Sequence, residues 1–165
     1  MLCPVEIEIH ADGSREAVNE VVRLHREVYE REYDLEPSFA DDVATQLAEL
    51  SRSGWPGSRE GLWLARRGER AVGSVTLIEE NAKLGRLGHL VLLEEARGTG
   101  AGRRLVETVL AAARAAGYRR LHLFTFRDLS AAGSLYRSVG FGRTSSERRR
   151  RWGRLMDWEQ YELAL

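Results

Sequence analysis

An apolar strand, a glycine-rich turn and the start of a helix follow one another without a break near the middle of this chain. Residues 90–93 are apolar, and Arg97, Gly100 and Gly102 then make the pattern R-x-x-G-x-G. Glycine lets a backbone approach a ligand closely, and the N-terminus of a helix presents unpaired N–H groups. This unit predicts an α/β fold with a phosphate or pyrophosphate site at the turn.

The spacing of the glycines excludes two common nucleotide-binding motifs. A dinucleotide fingerprint, G-x-G-x-x-G, would need a glycine where Arg103 stands. A P-loop needs G-x-x-x-x-G-K-[ST], and the only lysine of the chain is Lys83. The local sequence leaves one alternative open, which is an ordinary strand-to-helix turn that binds no ligand.

Two segments in this order resemble the GNAT superfamily of N-acetyltransferases. Residues 92–102 resemble its acetyl-CoA pyrophosphate loop, and residues 134–141, SLYRSVGF, resemble its L-Y-x-x-x-G-F motif. The similarity is best over residues 61–142. A weaker likeness, at residues 29–33 and around Trp158, is to GNAT domains fused to MarR-type winged-helix regulators, of which this chain would be the catalytic part alone.

The resemblance implies one α/β domain over residues 1–165 with the GNAT fold, a mixed central sheet that splays at the cofactor site and has flanking helices. Hydrophobic periodicity predicts the element order β-α-α-β-β-β-α-β-α-β-β. Ser14 and Ser130 are predicted to cap helices, and residues 148–151 to lie in the loop between the last two strands.

The resemblance also assigns cofactor-binding residues. Backbone N–H groups of the turn would hold the pyrophosphate of acetyl-CoA, with charge added by two arginines. The residues predicted to bind the cofactor are Leu92, Arg97, Gly98, Thr99, Gly100, Ala101, Gly102 and Arg103.

The catalytic residues predicted from the resemblance are Tyr136 and His89. Tyr136 would donate a proton to the leaving thiolate, and a backbone N–H near Leu92 would hold the oxyanion of the tetrahedral intermediate. Many family members have a glutamate base on the strand before the turn, but here His89 is the titratable group nearest neutrality on that strand. Glu32, Glu147 or a chain of waters are alternatives. Leu129 stands where the family often has asparagine.

The acceptor is predicted from charge. In the GNAT fold the loop that would hold Arg148 to Arg151 lies near the acceptor site, and acidic residues of segment 30–42 would form the opposite wall. Both charges together fit a small amine that also carries an anionic group, such as a zwitterion. A non-catalytic acyl-CoA-binding sensor or partner module remains the second hypothesis.

Composition bounds the remaining function classes. The 25 basic residues equal the 25 acidic ones, which argues against nucleic-acid binding. No apolar run approaches the roughly 20 residues of a membrane span, and no signal peptide is recognisable.

The single cysteine, Cys3, excludes an internal disulfide and fits the cytoplasm. The four histidines lack metal-ligand spacing, so no metal is expected. Exposed sheet edges can pair between two copies of the chain, so a homodimer is an open alternative.

Overall fold

Seven strands form one mixed sheet in the computed structural model, which describes residues 5–165. The sheet order is β1-β2-β3-β4-β5-β7-β6, and every neighbouring pair is antiparallel except β4 and β5. The order of elements along the chain is the predicted one. The strands are β1 (Ile7–Ala11), β2 (Gly61–Arg67), β3 (Arg70–Asn81), β4 (Leu84–Leu92), β5 (Arg120–Phe126), β6 (Gly142–Arg151) and β7 (Arg154–Ala164), and the helices are α1 (Arg15–Glu32), α2 (Ser38–Arg52), α3 (Ala101–Ala115) and α4 (Ser130–Ser138).

The sheet opens between its two parallel strands. β4 and β5 pair only where residues 84–86 lie beside residues 120–122, and the rest of both strands is not paired across this edge. β4 is also bulged, because Thr76 lies opposite Gly88 whereas Ser74 lies opposite Val91. His89 sits in this bulge with a φ of 51°. The opening is the splay that the sequence resemblance implied.

One of the two predicted helix caps is present in the structure, and the other is not. The Ser14 hydroxyl accepts a hydrogen bond from the Ala17 N–H (3.1 Å), so it caps α1 as predicted. The prediction for Ser130 is wrong, because Ser130 is the first residue of α4. The first turn of that helix closes from the Gly133 N–H to the Leu129 carbonyl (3.0 Å), which makes Leu129 the capping position.

The predicted loop placement of Arg148 to Arg151 is also wrong. These are the last four of the ten residues of β6, and the tight turn to β7 is made by Trp152 and Gly153, which both have positive φ. β6 is an edge strand exposed along its length, where charged side chains discourage pairing with other chains. Carboxylates already lie beside three of the arginines, in the pairs Arg148–Asp157 (3.1 Å), Arg149–Glu147 (2.6 Å) and Arg151–Asp42 (3.7 Å).

The core lies between the sheet and the helices that flank it. α1 packs against β3, β4 and α2, and α3 packs against strands β1 to β4. The apolar stripe predicted for α3 is buried, and burial of such a stripe is what holds an amphipathic helix to a sheet. Its members are Leu105, Val106, Val109, Leu110 and Ala113.

Candidate active site

The glycine turn, residues 97–103, presents backbone N–H groups with open space in front of them. Gly98 and Gly100 have φ values of 69° and 85°, and a Cβ at either position would meet nothing within 4 Å. The first backbone hydrogen bond of α3 runs from the Arg104 N–H to the Gly100 carbonyl (3.1 Å). The N–H groups that precede Arg104 at the start of the helix therefore have no carbonyl one turn earlier to bind. This geometry can receive an anion.

Two residues fix the shape of the glycine turn. The Thr99 hydroxyl donates to the Ala96 carbonyl (2.6 Å) and lies 3.3 Å from the Ala101 N–H, so it closes the turn from inside. Gly102 packs against β4, where a Cβ would lie 3.0 Å from the nearest methyl carbon of Leu92. A side chain at Gly102 would therefore separate α3 from β4.

The arginines of the turn are engaged by other protein groups. The Arg97 guanidinium forms a two-pronged ion pair with Glu32 and also donates to the Leu92 carbonyl (2.9 Å). The hydrogen bond from Arg97 lowers the pKa of Glu32. Arg103 donates to the Ser138 hydroxyl (2.8 Å) and lies 3.6 Å from Glu107. An anion on the turn would thus meet backbone N–H groups first.

Two cavities lie side by side in the opening of the sheet. The turn cavity has a volume of about 300 Å³ and is lined by the glycine turn together with Leu92 and Leu135. The aromatic cavity has a volume of about 430 Å³ and is lined by α1, α2, β4, β5, α4 and the β6–β7 turn. The side chains that line both cavities, and so mark where they meet, are Tyr29, Leu90, Leu129 and Ala132.

Two adjacent residues of helix α4 line different cavities. Leu135 lines the turn cavity, whereas Tyr136 lines the aromatic cavity and is 5% exposed. Burial, followed by the neighbouring Tyr29 and Tyr161, raises the pKa of Tyr136. Its phenol therefore keeps its proton at neutral pH and can act as a donor.

Tyr29 lies where the two cavities meet, and no sequence motif marked it for chemistry. It lies on the buried face of α1, with its ring centroid 4.5 Å from that of Phe39. Burial, and then Tyr33, raises the pKa of Tyr29. A tyrosine among the apolar residues that recur along one face of a charged helix is the signal that could have found it.

His89 lines the aromatic cavity, but both of its ring nitrogens are engaged. Nε2 of His89 lies 3.0 Å from Oε1 of Gln46, and because this oxygen can only accept, Nε2 carries the proton. Nδ1 of His89 accepts a hydrogen bond from the Thr76 hydroxyl (2.9 Å). Burial, followed by His25 and Arg86, lowers the pKa of His89 to about 3. The ring is neutral at neutral pH and is a weak proton acceptor, which disfavours the predicted role as a base.

The other predicted bases lie outside the aromatic cavity. Glu32 is paired with Arg97, and Glu147 with Arg149, and neither side chain lines this cavity. Of the acidic residues in segment 30–42, Asp42 alone lines it.

The wall around Asp42 is largely aromatic. The Trp152 indole N–H donates to Asp42 (2.7 Å), and the Arg151 guanidinium lies 4.3 Å from the centre of the Trp152 ring. Trp158 and Phe124 stack nearby with centroids 6.3 Å apart. Such a wall suits the apolar body of a ligand.

The backbone of β4 supplies a further donor at the opening. The Leu93 N–H donates to Val72 of β3 (2.8 Å). Successive N–H groups of a strand point to opposite sides, so the Leu92 N–H points toward the opened edge, where Leu92 also lines the turn cavity.

Residues 5–165 contain neither a metal-binding cluster nor a membrane-spanning helix. No group of three or more histidine, cysteine, aspartate or glutamate residues in this range could hold a metal ion. No helix in the same range is long and apolar enough to cross a membrane. Cys3 lies outside the described residues.

Known proteins of related sequence share the region of the site. The sequence profile of the Acetyltransferase (GNAT) family matches residues 18–141. Human N-acetyltransferase 8B is 33% identical over 126 residues, which cover 70% of this chain and 54% of that protein. The rat N-acetyltransferase 8B is 33% identical over 105 residues, or 61% of this chain and 47% of that protein. The chain therefore spans about half the length of these relatives.

Solved structures share the fold at low sequence identity. An acetyltransferase of Salmonella typhimurium, solved with its cofactor acetyl-CoA, has a TM-score of 0.76 at 14% identity and covers 96% of this chain and 93% of its own. The ribosomal-protein-alanine N-acetyltransferase of Brucella melitensis has a TM-score of 0.74 at 18% identity, with coverages of 96% and 99%. These likenesses confirm the predicted GNAT fold, and the profile match establishes the family. The chain belongs to the GNAT family of acetyltransferases.

Proposed function

We propose that this protein transfers the acetyl group of acetyl-CoA to a primary amine of a small molecule. The single observation that carries the proposal is the contact between the two cavities at Tyr29, Leu90, Leu129 and Ala132, within the opening of the sheet. One cavity ends on an anion-binding turn and the other is lined by aromatic rings, so two different molecules can meet there.

The turn cavity fits acetyl-CoA, the co-substrate of this family. Gly98, Gly100, Ala101, Gly102 and Arg103 would hold the pyrophosphate through their backbone N–H groups, and Thr99 keeps the turn closed. Leu92 and Leu135 give the rest of this cavity an apolar surface suited to the pantetheine arm. Arg97 and Arg103 would add charge once they exchange their present partners for phosphate oxygens.

Two groups of the protein would carry out the chemistry where the cavities meet. The Leu92 N–H would stabilise the negative charge that develops on the thioester oxygen as the amine attacks the carbonyl carbon. The carbon–sulfur bond then breaks, and the Tyr136 hydroxyl would donate its proton to the departing thiolate. The nitrogen of the new amide still carries one extra proton, and loss of that proton, directly or through solvent, returns a proton to the Tyr136 phenolate. Tyr29, beside Tyr136, is the nearest rival donor.

The acceptor would occupy the aromatic cavity. Its six aromatic side chains favour an amine with an apolar or planar body, and Asp42 with Arg151 forms a charged pair at one wall. Of the four adjacent arginines, Arg151 lines this cavity and is the one that could hold an anionic group of the acceptor. The aromatic side chains are Tyr29, Phe39, Phe124, Phe126, Trp152 and Trp158, beside the proposed acid Tyr136.

A mass-spectrometric screen of amines with acetyl-CoA tests the proposal. The library should contain aromatic amines, amino acids, polyamines and a peptide with an N-terminal alanine, so that small-molecule and protein-type acceptors compete. The proposal expects acetylated small amines, with one CoA released for each, and loss of product in Tyr136→Phe. Tight CoA binding without any acetylated amine would favour the alternative, a non-catalytic acyl-CoA-binding module, to which the lack of a carboxylate on β4 gives support.

A further inference from the structure

His25, on α1, has a ring nitrogen to which residues 5–165 offer no hydrogen bond. Its Nδ1 lies 2.7 Å from the carbonyl oxygen of Val21, one turn earlier in the helix. A carbonyl can only accept, so the proton is on Nδ1 and Nε2 keeps a lone pair. The side chain is 3% exposed and yet lines the aromatic cavity. An acceptor on a residue that lines a cavity can take a donor from a ligand in that cavity.

The other polar side chains of the aromatic cavity are engaged or keep a proton to donate, and the Thr125 hydroxyl, buried without a partner among the described residues, can rotate to donate or to accept. His89 is held by Thr76 and Gln46, and Asp42 accepts from Trp152. The phenols of Tyr29 and Tyr136 keep their protons. His25 is thus the ring whose lone pair is fixed in place and open to a donor.

Each charged side chain that lines this cavity has a partner of opposite charge. Asp42 lies 3.7 Å from Arg151, and Arg86 lies 2.7 Å from Glu80. An acceptor entering as an ammonium ion would find no unpaired carboxylate among these lining residues. Burying an unpaired cation is costly, so the cavity favours the neutral form of an amine.

His25 also lies close to where the two cavities meet. Its ring stacks on Tyr29 with centroids 5.7 Å apart and an interplanar angle of 18°. Tyr29 lines both cavities. A molecule that donates a hydrogen bond to His25 therefore sits one aromatic ring away from the turn cavity.

We infer that Nε2 of His25 accepts a hydrogen bond from the N–H of the acceptor amine and holds that amine neutral, with its own lone pair free to attack. The inference rests on the proposed acetyl transfer. Burial lowers the pKa of His25 to about 4, so the ring stays neutral from pH 6 to 9 and offers the same lone pair throughout. The rise of kcat/KM with pH should then report the pKa of the amine rather than that of the protein.

The test compares His25→Leu with His25→Gln, whose side-chain oxygen can still accept. His122→Leu is the matched control, since His122 is buried but does not line the aromatic cavity. We expect His25→Leu to lower kcat/KM for the amine roughly tenfold with the KM for acetyl-CoA unchanged, and His25→Gln to recover part of the loss. For the wild-type protein, the pH midpoints of two amines should differ by the difference between their own pKa values.

A second readout does not depend on the variants folding. In the CoA complex of the wild-type protein, the ¹⁵N resonance of His25 Nε2 should shift when the amine is added. An unmoved resonance, equal activity of His25→Leu and His122→Leu, or equal pH midpoints for the two amines would each overturn the inference while leaving acetyl transfer intact. A protein that acetylates no amine would refute the proposed function, and the inference with it.

Discussion

Arg97 of the glycine turn and Glu32 at the C-terminal end of α1 form a two-pronged ion pair, with Nη2 of Arg97 2.8 Å from Oε2 of Glu32. If Arg97 contacts the cofactor as proposed, a phosphate would compete with this carboxylate, which also adds negative charge beside the turn. Cofactor binding and the position of α1, which carries Tyr29, would then be linked through this pair.

Replacing Glu32 should strengthen CoA binding. A partly exposed pair of this kind is worth about 0.2–1 kcal/mol, so Glu32→Gln should raise CoA affinity up to about fivefold and Arg97→Gln should lower it. Calorimetric titration with CoA at two salt concentrations measures both changes. If Glu32→Gln weakened binding as much as Arg97→Gln does, the carboxylate would instead orient Arg97 for the phosphate.

A side chain at Gly100 should block the cofactor. Gly100→Glu would place a carboxylate in the open space before the turn, and we expect CoA affinity to fall by more than about tenfold, since one repelled charge costs over about 1.4 kcal/mol. Gly68→Glu is the matched control, because Gly68 has a similar φ of 62° and open space but lies in the β2–β3 turn. Equal CoA affinities for the two variants would rule out the glycine turn as the pyrophosphate site.

Loss of the Tyr136 hydroxyl should slow turnover without unfolding the protein. Removing a proton donor typically lowers the rate by about 10² to 10⁴, so Tyr136→Phe should lose kcat while its melting temperature stays near that of the wild type. Tyr118→Phe, a buried tyrosine whose hydroxyl bonds Arg59 and Glu79, controls for loss of a phenol elsewhere. A drop in Tyr29→Phe combined with normal turnover in Tyr136→Phe would assign the acid to Tyr29.

The buried His25 and the half-buried His89 should make the fold sensitive to acid. The pKa values of His25 and His89 are lowered from 6.5 to about 4 and about 3, so between these values the unfolded chain binds protons that the folded protein excludes. Stability is therefore complete above pH 6.5 and falls as the pH drops below it, by about 2 kcal/mol per ring at pH 5.

Urea unfolding of wild type and His89→Asn at pH 7.5 and pH 5 measures this effect. Asparagine tolerates the positive φ of position 89 and cannot be charged, so the variant should lose less stability between the two pH values. An identical loss in both proteins would show that His89 is not excluded from protonation in the fold.

Replacing different arginines of β6 should change the KM for the acceptor to different extents. Arg151 lines the aromatic cavity beside Asp42, whereas Arg150 does not line it. If the acceptor carries an anion, Arg151→Ala should raise its KM by about ten- to a hundredfold, since a charge-assisted hydrogen bond is worth roughly 1.5 to 3 kcal/mol. Arg150→Ala should leave it unchanged. Steady-state kinetics with the best acceptor decides this, and equal effects of the two variants would exclude an anion site at Arg151.

The sequence predicted the elements whose signals are local. Periodicity located α3, the glycine spacing located its turn, and the pair Leu135–Tyr136 located α4 at the meeting point of the cavities. The placement of residues 148–151 failed because a charged edge strand has no apolar alternation to mark it.

The acceptor side was hardest to predict because it depends on contacts between distant segments. His25, Asp42 and Trp152 come from α1, α2 and the β6–β7 turn, and only the folded sheet brings them together. The engaged state of His89 likewise depends on Gln46, 43 positions earlier. The MarR-type likeness, the single-domain extent, a homodimer and the cytoplasmic location stay predictions.

A crystal structure of the protein with CoA tests the central claim most directly, because it places the cofactor relative to the residues proposed to act on it. The account predicts the pyrophosphate on the N–H groups of Gly98 to Arg103, and the CoA sulfur within about 3.5 Å of the Tyr136 hydroxyl, a distance that allows proton donation. A pyrophosphate bound away from the glycine turn, or a sulfur remote from both Tyr136 and Tyr29, would contradict it.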